Sequence, residues 1–207
     1  AGPKVLEHMV DTVINFEGDK YKQYRILRCI KNRFGTISEL GVFRMEDEGL
    51  VEIISPNQML LEGPADAPGS ARVATCEGSR VFLHEIQALV GSTNYTNPRR
   101  VAVGLEYNRV LQVLAVLEKK VGLNLSKQDV YVNVVGGIGI IEPGYDLALA
   151  LAIISSIRDI PINPNTVIIG EIGLLGEIRY VNNIERRLKE AQKLGFQKAI
   201  IPKVNER

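Results

Sequence analysis

The sequence predicts an α/β (α+β) protein in two parts, and three observations carry that expectation. Residues 4–45 run as short β-rich segments with almost no helix between them. Residues 62–70, Glu-Gly-Pro-Ala-Asp-Ala-Pro-Gly-Ser, are punctuated by Gly and Pro and hold no large apolar side chain, as a connecting segment does. After residue 71, strand-like and helix-like segments alternate, the pattern of a layered α/β domain. The expected organisation is a first domain at 1–60, a linker at 61–70 and a second domain at 71–207.

The elements follow in chain order. Residues 12–16, Thr-Val-Ile-Asn-Phe, form a β-rich run closed by Gly18 and Asp19. Residues 24–30 form a second, with Ile26, Leu27, Cys29 and Ile30 apolar. Residues 41–45 and 50–54 flank Glu46-Asp47-Glu48-Gly49, a hairpin signal in which Gly49 supplies positive φ. Strands with so little helix cannot easily close a core alone, so they are expected to be the last strands of a larger sheet. Residues 72–76 and 80–90 make a strand pair around Glu77-Gly78-Ser79. A helix is expected over 106–121: Val110, Leu111, Leu114, Leu117 and Val121 recur at helical spacing, and Gly122 stands in the stop position. Residues 130–135 are a strand ending in Gly136-Gly137, and 145–157 a mostly apolar helix that should be buried. Short strands are expected at 166–169 and 176–180. Asn182 or Asn183 should cap a helix reaching Leu194, with Ile184, Leu188 and Ala191 facing inward and Gly195 ending it. Residues 198–201 are the final strand.

Composition narrows the function classes. The apolar share of 45% and the charged share of 24% suit a soluble globular protein. A net charge of +1 gives no bulk attraction for nucleic acid, so any DNA contact must come from local patches. Cys29 and Cys76 are far apart and form no CxxC, which argues against a zinc site or a disulfide framework and for free thiols in a cytosolic protein. The longest apolar run, residues 147–154, is too short to span a membrane. No signal peptide is visible, and the start without Met leads to the expectation that the chain begins inside a domain. No Gly-Lys dipeptide occurs, so the chain has no Walker A loop and is not expected to bind ATP in the P-loop manner by itself. No metal site is expected. His8 and His84 have no Ser, Cys or carboxylate partner at a catalytic spacing and are read as structural.

A basic run lies at residues 20–33, where Lys20, Lys22, Arg25, Arg28, Lys31 and Arg33 occur without one acidic side chain. Its bland reading is a solvated strand face. Lys31 and Arg33 are two apart, so on a strand they share a face. Two cations on a sheet rim could reach a nucleotide held by a neighbouring subunit and stabilise charge on the transferred phosphoryl group. The run ends in Lys31-Asn32-Arg33-Phe34-Gly35. That pentapeptide resembles the signature carried by the RadA (Sms) family of bacterial DNA-repair proteins after their RecA-like ATPase core, and the resemblance extends over essentially the whole chain. It implies that residues 1–60 are terminal strands of a RecA-like domain. It implies further that Lys31 and Arg33 act in trans on a neighbour's ATP in a hexamer, and that Asn32, Phe34 and Gly35 shape the turn presenting them. DNA contact in the ring's channel is the competing role for the motif.

The second domain is similar to the proteolytic domain of Lon, through residues 170–178 (Gly-Glu-Ile-Gly-Leu-Leu-Gly-Glu-Ile) and the helix after them. Lon proteases use a Ser-Lys dyad. Gly144, in Glu142-Pro143-Gly144-Tyr145-Asp146, stands where the serine would be. Glu185, in Asn182-Asn183-Ile184-Glu185, stands where the lysine would be. Both halves of the dyad are absent, a loss that the RadA family shares, and Ser155 and Ser156 fall in the helix interior. The domain is therefore expected to be an inactive scaffold. Arg99, Arg100, Arg109, Arg186, Arg187 and Lys189, with Lys193 and Lys198 nearby, are its candidate phosphate contacts. A solvated helix face balanced by Glu185 and Glu190 is the bland alternative. Tyr95 and Tyr107 are read as packing residues ahead of base-stacking ones.

The resemblance implies a bacterial cytoplasmic DNA helicase that hydrolyses ATP with Mg and drives branch migration in recombinational repair. It would work with single- and double-stranded DNA and a RecA-type recombinase. Zinc would belong only to an N-terminal part outside this chain, which is expected to bind no cofactor alone. The alternatives are a pure oligomerisation scaffold without DNA contact and, less favoured by the missing dyad, a Lon-type serine peptidase.

Overall fold

The computed structural model describes residues 4–18, 24–37, 39–61, 66–78, 80–136 and 138–205. The chain forms two compact units, Ala1–Pro56 with Cys76–Phe82, and Asn57–Thr75 with Leu83–Arg207.

The first unit holds a short helix α1 (Lys4–Glu7) and strands β1 (Thr12–Glu17), β2 (Tyr24–Asn32), β3 (Leu40–Glu46) and β4 (Gly49–Glu52). The strands make an antiparallel sheet in the order β1-β2-β3-β4. Glu46 pairs with Gly49, so the β3–β4 turn is two residues long, and Gly49 has the expected positive φ of 117°. The β1–β2 register shifts between Val13 and Ile14, leaving Ile30 as an extra residue on β2. Such a bulge bends its strand just before residues 31–35. Leu40 and Val42 are buried, whereas Ile14, Phe16, Ile30, Met45, Leu50 and Val51 are exposed. Lys20 and Lys22 lie outside the described residues.

Helix α2 (Pro56–Leu60) stands at the boundary of the two units. Of the expected linker, residues 62–65 lie outside the described residues. Gly69 and Ser70 are buried, and Ser70 opens a strand. Gly69 has φ +91°, and a Cβ there would lie 2.2 Å from the Ala88 carbonyl oxygen, so only glycine fits.

The second unit is built on a mixed sheet. Its strands are β5 (Ser70–Glu77), β6 (Arg80–Ser92), β7 (Arg100–Val103), β8 (Gln128–Val134), β9 (Thr166–Ile168) and β12 (Lys198–Ile200), in the order β12-β9-β5-β6-β8-β7. β7 and β8 are parallel, as are β9 with β5 and with β12, while β6 and β8 are antiparallel. Strands β10 (Glu171–Ile172) and β11 (Ile178–Arg179) pair as a separate small hairpin. Helices α3 (Tyr107–Val116), α4 (Asp146–Arg158) and α5 (Ile184–Lys193) complete the layer. The expected α/β class is the one observed.

Sequence explains why these helices form. Glu106 caps α3, its carboxylate accepting the Asn108 and Arg109 amides at 2.9 and 2.6 Å. The helix expected over 106–121 passes into a π-helical turn at Leu117–Val121, and Gly122 ends it with φ +78°. α4 is apolar almost all round and is buried accordingly. Val73, Ile86, Val130, Val132 and Val134 of the sheet pack with Val110, Val113 and Leu114 of α3 and Leu149 and Ile153 of α4 in one core. The α4 serines join backbone segments. Ser155 Oγ accepts the Gly69 amide at 2.9 Å and donates to the Ile160 carbonyl at 2.5 Å. Ser156 Oγ accepts the Val90 amide at 3.0 Å. Among the described residues no helix is long and apolar enough to cross a membrane, and no group of three His, Cys, Asp or Glu could hold a metal.

His84 is buried with Nε2 3.0 Å from Thr75 Oγ1. Burial lowers its pKa from 6.5 to about 4. Between those values the unfolded chain takes up a proton that the folded one refuses. The stability contribution is therefore full above pH 6.5 and is lost as pH falls to about 4, amounting to about 3 kcal/mol. Urea midpoints should show a smaller loss between pH 6.5 and 4 in His84→Gln than in the parent; an equal loss would refute the assignment.

Candidate functional site

In the first unit the pentapeptide 31–35 forms a turn off the end of β2. The strand ends at Asn32, so Arg33 stands one residue beyond it. The two cations nevertheless address one segment. Lys31 Nζ donates to the Glu7 carbonyl at 2.7 Å, and Arg33 Nη1 to Asp11 Oδ1 at 2.9 Å. The Arg33 amide also donates to the Asp11 carbonyl at 2.9 Å. Asn32 braces the turn by accepting the Phe34 amide on Oδ1 at 3.2 Å. A Cβ on Gly35 would come within 2.8 Å of Asn32 Nδ2, so the glycine makes room for that brace. Phe34 is 81% exposed at the tip. Glu7 and Asp11 escaped the sequence reading because nothing local marks a residue twenty positions away as a partner.

In the second unit the space around Gly144 is filled. Gly144 is buried, and a Cβ there would meet Glu142 Oε1 and Val181 Cγ1 at 3.3 Å and Arg187 Nη1 at 3.6 Å. Its carbonyl accepts the Gly170 amide at 2.9 Å, and the Gly170 carbonyl accepts the Leu147 amide at 3.0 Å. Glu185 is exposed on the first turn of α5, where a carboxylate favours the positive helix end.

Arg187 corrects one expectation. It was a candidate DNA contact, yet it is 1% exposed. Its Nη2 donates to Glu142 Oε2 at 2.6 Å and its Nη1 to Glu142 Oε1 and, at 2.8 Å, to the Ala74 carbonyl. Nε donates to the Asn182 carbonyl at 2.9 Å. A guanidinium with its donors so committed inside the fold cannot reach a phosphate.

Arg109 is a second correction. It grips the fully buried Asp146, with Nε 3.1 Å from both carboxylate oxygens and Nη2 on Oδ2, and reaches the Ile172 carbonyl at 3.2 Å. The Ile172 amide donates to Asp146 Oδ2 at 2.9 Å. Burial pushes the Asp146 carboxyl up while Arg109 and the Ile172 amide pull it back; its hydrogen bond to Asp146 raises Arg109. Burial is the larger influence, so the Asp146 carboxyl lies above its ordinary value. Burial likewise raises the neighbouring Tyr145 phenol.

Arg100 is a third. Its guanidinium holds the Leu125 carbonyl at 2.7 Å and the Gln128 carbonyl, bracing the approach to β8. Arg99, Arg186 and Lys189 remain exposed. Arg99 lies over the Tyr95 ring, 4.0 Å from its centroid. The surviving candidate DNA surface is therefore Arg99, Arg186 and Lys189.

A mixed sheet with helices packed on it makes the second unit an α/β domain. A family model described as subunit ChlI of Mg-chelatase matches residues 100–205, just over half of the chain, and the chain belongs to that family. Among curated relatives the similarity is to DNA repair proteins named RadA. That of Bacillus subtilis is 52% identical over 206 residues, covering 99% of this chain and 45% of the relative. That of Synechocystis is 52% identical over 204 residues, covering 98% and 40%. That of Streptococcus pneumoniae is 52% identical over 204 residues, covering 98% and 49%. The resemblance seen at residues 31–35 thus holds across the chain, which spans about half the length of these relatives.

Arg187→Ala should cost roughly 3 kcal/mol, because it removes a buried side chain, breaks the pair with the half-buried Glu142 carboxylate and takes a donor from two carbonyls. The expected readout is a fall in the urea midpoint at unchanged slope. A midpoint equal to the parent's would show that the pair does not hold the fold.

Proposed function

We propose that this chain is part of a longer DNA-repair protein of the RadA kind, a DNA-dependent ATPase and helicase that drives branch migration. In this reading the first unit supplies terminal strands of a RecA-like sheet. The second is a Lon-like domain without protease chemistry that scaffolds a homo-oligomeric ring, a hexamer, and holds DNA. ATP and Mg would be bound by other parts of the protein, and zinc by a further domain. Single- and double-stranded DNA and a RecA-type recombinase would be its partners in the bacterial cytoplasm.

One observation carries the reading: the braced turn at residues 31–35 holds two cations on one segment at the end of a strand, in the pentapeptide that resembles the RadA signature. Such cations act in trans when they neutralise charge on a phosphoryl group bound by the next subunit. The uncovered apolar side chains of the first sheet suit strands that belong to a larger core. A second reading of the same turn, DNA contact, is favoured by Phe34, an exposed aromatic between cations and free to stack on a base.

In the full-length protein, Arg33→Ala should lower DNA-stimulated ATP hydrolysis by about a thousandfold or more, with Lys31→Ala also impaired. Mixing Arg33→Ala subunits with subunits that cannot bind ATP should restore part of the activity, because each supplies what its neighbour lacks. No recovery on mixing, together with lost DNA affinity, would favour the DNA role. Separately, Arg99→Ala should weaken DNA binding evenly across sequences and reduce the salt slope by about one; an unchanged slope would remove Arg99 from the DNA surface.

A further inference from the structure

The mixed sheet of the second unit has two faces of different character. α3 and α4 cover one, packing on Ile86, Ala88, Val130 and Val132. Alternation sends the residues between them to the other face. There the register sets two cross-strand rows: Leu89, Tyr131 and Val101, then Gln87, Asn133 and Val103. Leu89 is 68% exposed, Val103 51% and Val101 41%. These side chains line a groove of about 430 Å³, walled on one side by Ala67, Pro68 and Gly69. β7 is the edge strand of the sheet, so the groove runs out to open solvent there.

The chemistry of this face is mixed. Apolar side chains and a tyrosine ring offer flat contact area, while the Gln87 and Asn133 carboxamides offer donors and acceptors. An apolar partner surface would bury the Asn133 carboxamide and the Gln87 carboxamide oxygen against nothing that hydrogen-bonds them, at a cost in free energy. Glu85 is the one carboxylate among the described residues lining the groove. It is buried and paired with Arg72 at 3.0 Å, Ser70 Oγ at 2.9 Å and Gln87 Nε2 at 2.8 Å, so it projects no charge into the groove. Arg99, held over the exposed Tyr95 ring, directly precedes β7 and stands beside Tyr131, the middle residue of the first row. A cation therefore adjoins an apolar and amide-bearing trough. The two rows are about 7 Å apart, a repeat that successive bases of an extended strand can match.

We propose that this sheet face binds single-stranded DNA through its bases, with two successive bases lying on the two rows and the adjoining phosphate meeting Arg99. The inference rests on the DNA-binding reading above and adds to it a base-contacting surface distinct from phosphate attraction. Phosphates alone would leave the groove empty; bases fill it, because every base has an apolar face to stack and a polar edge for carboxamides.

The test uses the 207-residue chain, a fluorescent oligothymidylate and an abasic oligonucleotide with the same number of phosphates. Base contact predicts that the base-bearing strand binds about 5- to 100-fold more tightly. The neutral double variant Leu89→Thr/Val101→Thr should bring its affinity down to that of the abasic strand. Equal affinity of the parent for both strands would overturn the base-binding face while leaving phosphate binding intact. Binding of neither strand would overturn this proposal and the DNA-surface reading together. Should the double variant fold poorly, an oligonucleotide carrying 5-iodouracil supplies an independent readout on the parent. A photo-crosslink mapped to Tyr131 supports the proposal, and crosslinks confined to other residues overturn it. If the double variant keeps its preference for bases but loses self-association, the face joins two copies of the chain and the proposal fails.

Discussion

The second unit depends on one buried guanidinium. Arg187 leaves α5, enters the interior and bonds the Ala74 carbonyl of β5, the Glu142 carboxylate ahead of α4 and the Asn182 carbonyl ahead of its own helix. Three stretches distant in sequence are fixed by one side chain. A planar fork with five donors can satisfy several acceptors in set directions, which a lysine cannot. The arrangement also explains the glycine at 144. The Glu142 carboxylate and Val181 crowd the place a side chain there would take, with the guanidinium in contact behind them.

Arg109 does related work at the start of α4. It bonds Asp146, in the first turn of α4, and extends to the carbonyl of Ile172 in β10. Arg100 braces the approach to β8 in the same manner. Of the six basic residues that sequence assigned to a DNA surface, Arg187 is thus internal, and the half-buried Arg109 and Arg100 are engaged by groups of the fold. Arg99, Arg186 and Lys189 are the exposed ones.

Much of the fold was legible because periodicity reports burial directly. The apolar spacing of 110–121 gave α3, the unbroken apolar run gave α4, and Gly49 and Gly122 marked a turn and a helix end. Elements of two to five residues, such as α1, α2 and β10, are too short to show a period. The site was less legible, since a charge in a sequence carries no sign of what it will face. One signal was available and unused. Ile184, Arg187, Leu188 and Ala191 fall on a single helical stripe, so Arg187 shares the inward face with three apolar neighbours. Its misplacement came from weighing charge above position.

The crowding at residue 144 bears on what mutation can reach. A Cβ there would meet Glu142 Oε1 and Val181 Cγ1 at 3.3 Å, closer than usual, and Arg187 at ordinary contact distance. Room for a serine hydroxyl therefore depends on how far the Glu142 carboxylate can swing while it keeps its hold on Arg187. Any side chain gained at this position bears first on the ion pair that ties β5 to the loop before α4 and to the approach to α5.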